Sequence, residues 1–129
     1  MATPTPEERK TALLAAMSAE RGYLPKEWHY VADHDVDFLE AYNNLWREAS
    51  KDGKALPIKT RELIFIAILC HRGAERAAYN HCKRALQNGA SMLELLEAVE
   101  TMLIAGGAPT FGTGLSALMK IVEEENEKK

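Results

Sequence analysis

Eight consecutive apolar residues, LIFIAILC from Leu63 to Cys70, sit inside a segment that Pro57 opens and Gly73 closes. Proline at the start and glycine at the end are the punctuation of a helix. A helix that is apolar on every face has to be covered on every side. The 129 residues are expected to form a single domain, 1–129, and so short a chain has difficulty surrounding one of its own helices completely. The expected remedy is a subunit interface, which makes the chain a homo-oligomer.

The remaining segments also read as helices. Thr5-Pro6-Glu7-Glu8 combines a capping hydroxyl, a proline where its missing N–H does not matter and acids that favour the dipole. Leu13, Leu14 and Met17 give that helix an apolar face, and Gly22 ends it. Pro25 opens a short helical segment to about Ala32. Asp35 caps a longer one carrying Phe38, Leu39, Tyr42, Leu45 and Trp46 at helical spacing. After the loop Lys51–Lys54 and the apolar helix, Glu75 to Asn88 forms a further helix closed by Gly89. Ser91-Met92-Leu93-Glu94 is a capping box for the next, which Gly106-Gly107-Ala108-Pro109 breaks before a final helix with a charged end. There is no internal repeat and no convincing strand. The expectation is an all-α single-domain bundle of five to six helices.

Composition excludes several classes of function. A net charge of −3 with dispersed Lys and Arg gives no electrostatic reason to bind nucleic acid or an anionic membrane. No apolar stretch reaches the length of a bilayer span, and MATPTPEERK does not have the pattern of a secretory signal. Cys70 and Cys82 are too few for a disulfide framework of the secreted kind, so reduced thiols in the cytoplasm are expected.

The chemistry concentrates on the apolar helix and its successor. Glu62 is the one acid in the apolar run. Next to Lys59 and Arg61 it reads as an ordinary first-turn acid; buried among Ile58, Leu63 and Ile66 it reads as a desolvated carboxyl suited to proton transfer. His81 lies on the following helix, with Ala74, Ala77, Ala78 and Ala85 sharing its face. Those alanines mean either tight helix packing or open space over the ring. If the hairpin turns near Gly73, the axial offset between Glu62 and His81 is roughly 4–5 Å. The same arithmetic places Cys70 and Cys82 roughly 9 Å out of step, too far for a disulfide. His29, His34 and His71 lack a shared short spacing with acids, so no metal site is expected. The N–H groups at the start of the last helix, near Thr110, could meet a substrate carboxylate. Arg61 could hold one too, or be a solvent-facing charge.

These residues resemble the carboxymuconolactone decarboxylase family, which includes the alkylhydroperoxidase D-like proteins. The resemblance lies in Arg61-Glu62-Leu63, His81, Ala85-Leu86, Gly89-Ala90, Glu94, Ala105-Gly106 and Pro109, across roughly residues 56 to 118. It implies an all-helical subunit that assembles into trimers or hexamers, with sites close to subunit contacts. The peroxidase-type members place a glutamate, eleven residues, CxxC, three residues and a histidine. Here Glu62 and His81 are in register, but Ala74 and Ala77 occupy the cysteine positions. Peroxide reduction needs a thiolate and a resolving thiol, so the resemblance points to the decarboxylase members. It implies acid–base catalysis by His81 and Glu62 on a small carboxylated lactone or related aromatic-degradation product, without metal or organic cofactor. Ala74, Ala77, Ala78, Arg61 and Thr110 are the expected substrate-binding positions. The competing expectation is a non-catalytic or ligand-binding helical oligomer on the same scaffold.

Overall fold

The computed structural model describes residues 2–129 and contains seven helices and no strand among them. The all-α expectation holds, while the helix count exceeds the five to six expected. The difference is α2, Glu27–His34, which stands as a two-turn helix of its own because Asp35 leaves helical geometry at φ −154° and ψ 78°. The Asp35 carboxylate then accepts from the Phe38 amide at 3.0 Å and starts α3, Val36–Ser50.

The chain divides into two compact units, one reaching Ala49 and the other Ser50–Lys129. In the first, α1 (Pro6–Arg21) begins with a complete Thr5–Glu8 capping box and ends at Gly22, whose φ of 69° only glycine adopts cheaply. Leu13 and Met17 of α1 pack with Ala32 and Leu39 in a small core. Ion pairs of Arg9 with Asp37 and Glu40, and of Lys10 with Asp33, run along its edge.

The second unit holds α4 (Ile58–His71), α5 (Glu75–Gln87), α6 (Met92–Gly106) and α7 (Ala108–Glu127). Its core joins Ile66 and Cys70 of α4, Cys82 and Ala85 of α5, Val99 of α6 and Ala117 of α7. The α6–α7 contact is close enough that a Cβ on Gly114 would come within 2.8 Å of both Val99 methyls. Tyr79 on α5 is buried, and its hydroxyl donates to the Glu124 carboxylate of α7 at 2.5 Å. Three helices do not enclose α4: Ile64 and Ile68, one turn apart, keep 48% and 56% of their surface exposed.

Candidate functional site

The site is built by the α4–α5 hairpin. Gly73 turns the chain at φ 71°, and the Ala74 amide donates to the Leu69 carbonyl at 2.9 Å, closing the turn. The chain thus returns α5 along α4, opposite the first turns of α4. Glu62 lies there and is fully buried. Its Oε2 is 2.6 Å from His81 Nδ1, and its Oε1 accepts a hydrogen bond from Arg84 Nη1. His81 and Arg84 are three residues apart on α5, the spacing that puts two side chains on one helix face. The Phe65 ring, on α4, lies 5.0 Å from the imidazole, centroid to centroid.

A carboxylate removed from water is costly unless it is paired and hydrogen-bonded. Glu62 meets that condition with a guanidinium on one oxygen and an imidazole on the other. It is neither the exposed first-turn acid nor the isolated carboxyl in an apolar pocket. His81 keeps 23% of its side-chain surface exposed, whereas Glu62 keeps none. Solvent or a small molecule therefore reaches the imidazole, and the carboxylate acts only through its neighbours.

Arg84 is the member that sequence reasoning missed. Lys83 is exposed, whereas Arg84 beside it is only 9% exposed. The usable signal was the lone acid itself: a buried carboxylate requires a counter-charge, and Arg84 shares the face of His81.

The other expected site residues lie elsewhere or serve packing. Arg61 reaches the loop before α4, where its Nη1 donates to the Lys51 carbonyl at 3.2 Å. Gly53 makes room for it, since a Cβ there would stand 2.7 Å from Nη2. Ala74 forms the N-cap of α5, and Ala77 is half-buried. Ala78 has no exposed surface and belongs to the core, so at this position the alanine face gives tight packing rather than open space over the ring. Thr110 is also buried; its hydroxyl donates to the Gly106 carbonyl at 2.9 Å and lies 3.3 Å from His71 Nδ1. His71 is nine residues beyond Glu62, about 13 Å along the axis of α4. Thr110 therefore belongs with His71 in a separate groove of about 490 Å³, walled by Ile68, Met102 and Ala105.

Both thiols are buried and unpaired with each other. Burial pushes the Cys82 thiol up to about 12, with Cys70 and Glu62 adding to the rise, and burial also raises Cys70. Neither is a thiolate at neutral pH. Among the described residues, no three His, Cys, Asp or Glu side chains converge to hold a metal ion. No described helix is long and apolar enough to cross a membrane.

Residues 37–120 match the carboxymuconolactone decarboxylase family. The chain belongs to that family. A crystal structure of a protein provisionally named a carboxymuconolactone decarboxylase, from Burkholderia xenovorans LB400, is similar with a TM-score of 0.80 and 28% identity. The match covers 95% of this chain and 96% of that one. An uncharacterized protein of Methanocaldococcus jannaschii is 27% identical over 89 residues, 69% of this chain and 82% of its own length. An uncharacterized protein of Cupriavidus necator is 28% identical over 71 residues, 55% of this chain and 62% of its own length. Within the carboxymuconolactone decarboxylase family this chain is a member with Ala74 and Ala77 in place of the peroxidase-type cysteine pair.

Proposed function

We propose that this chain is a cofactor-independent lyase that decarboxylates a small carboxylated lactone or a related aromatic-degradation product. The observation that carries the reading is the direct contact between the buried Glu62 and the solvent-reachable His81. In such a reaction the bond to the carboxylate carbon breaks and its electron pair stays on the substrate carbon. A proton taken up from water must then reach that carbon. His81, as imidazolium, donates it and steadies the developing negative charge; Glu62 holds the ring in place through its contact with Nδ1. The raised Cys70 and Cys82 and the alanines at 74 and 77 argue against thiol-based peroxide reduction.

The functional unit in this proposal is a cytoplasmic trimer or hexamer. Ile64 and Ile68, together with Ile104 at 90% exposure, supply apolar surface for contacts between copies. The test of function is a panel of carboxylated lactones and related aromatic-degradation acids given to the purified protein, with CO₂ release as readout. Release from at least one compound supports the lyase. Binding without release from any of them favours the ligand-binding oligomer instead.

A further inference from the structure

We infer that Arg84 is a positioning residue: acting through Glu62, it determines which nitrogen of His81 faces the substrate. The inference rests on the reading of His81 as the proton-transfer group, but its test reads the resting imidazole and needs no substrate or turnover.

Glu62 is fully buried, so no bulk water competes for its oxygens. Arg84 is a donor with no acceptor atom, and it occupies Oε1. That contact fixes the carboxylate as an acceptor and leaves Oε2 to His81 Nδ1, at 2.6 Å. The shared hydrogen therefore sits on Nδ1. Nε2 makes no hydrogen bond to the described residues, which leaves it as the nitrogen that exchanges a proton with an incoming molecule. Phe65 beside the ring opposes rotation that would swap the two nitrogens. Without the guanidinium on Oε1, nothing fixes which way the buried side chain of residue 62 presents its two ends to Nδ1. Arg84 thus does its work without touching substrate.

The experiment is ¹⁵N NMR of histidine-labelled protein, with His81 assigned by its loss in His81→Gln. Wild type should show Nδ1 protonated and Nε2 bare in the neutral ring. In Glu62→Gln, Arg84 still claims the side-chain oxygen, so the amide NH₂ faces Nδ1 and the proton should move to Nε2. In Glu62→Gln/Arg84→Met, which buries no unpaired charge, the amide is free to flip and both tautomers should appear together. The same single tautomer in Glu62→Gln with and without Arg84 would overturn the inference and leave Arg84 a structural counter-charge. Should Glu62→Gln alone fail to fold, Arg84→Lys replaces it. A compact ammonium lacks the fork that fixes the carboxylate, so the low-field Nδ1–H proton should move upfield. An unchanged resonance in Arg84→Lys would equally overturn the inference. A positive result in these spectra stands even where no carboxylated lactone is turned over, so failure of the lyase reading is recognised separately.

Discussion

Removing one member of a buried ion pair leaves the other without its counter-charge, which costs about 3–5 kcal/mol, whereas replacing both by apolar groups is often neutral or better. Arg84→Met should therefore lower the unfolding free energy by about that amount, and Glu62→Leu/Arg84→Met should recover most of it in urea unfolding. Equal losses in the single and double variants would mean that the two residues are not coupled. The cysteines give a second residue-scale test. With Cys82 raised to about 12 and Cys70 raised as well, a thiol reagent at pH 8 should label neither in the native protein and both after denaturation. Rapid native labelling would contradict their burial. At this scale the Glu62–His81 contact was legible because helix rise and a glycine turn are enough to align two positions. Arg84 was harder to read, because the Lys-Arg dipeptide by itself does not mark which of the two turns inward; only its three-residue spacing from His81 does.

At the scale of elements, helix ends were the most legible feature. Thr5–Glu8 and Ser91–Glu94 form the capping boxes their spacing predicts, since a cap is a local hydrogen-bond requirement and needs no tertiary information. The short segment after Pro25 and the cap at Asp35 were legible in the same way, and α2 ends where Asp35 caps α3. The Glu94 cap has a pH signature. The Ser91 amide, and then Lys59, hold its carboxyl below the ordinary carboxylate value. Its contribution to stability is therefore present above the unfolded value and lost as pH falls through the lower folded value. Glu94→Gln should lower Tm near neutral pH and narrow the Tm difference between neutral and strongly acidic solution; an unchanged difference would count against the cap. Packing is tested at Gly114→Ala, where the new methyl meets Val99. Overpacking of this kind should cost about 1–3 kcal/mol, and Val99→Ala in the same chain should relieve part of it.

At the scale of the whole molecule, the apolar run Leu63–Cys70 called for cover that the chain alone does not supply: Ile66 and Cys70 are buried while Ile64 and Ile68 are not. How that face is covered was beyond sequence pattern, which reports that a face is apolar but not what meets it. Light scattering should give a mass of three or six copies of 14.4 kDa, and Ile64→Lys/Ile68→Lys should shift it toward a single copy. A wild-type mass of one copy at micromolar concentration would contradict the assembly. The central claim, that His81 moves the proton, is tested most directly by the rate of CO₂ release from a turned-over carboxylated lactone in wild type and His81→Gln. Gln fills a similar volume but cannot carry the proton, so kcat should fall about 10²–10⁴-fold with KM little changed. A His81→Gln enzyme that keeps its kcat would contradict the account.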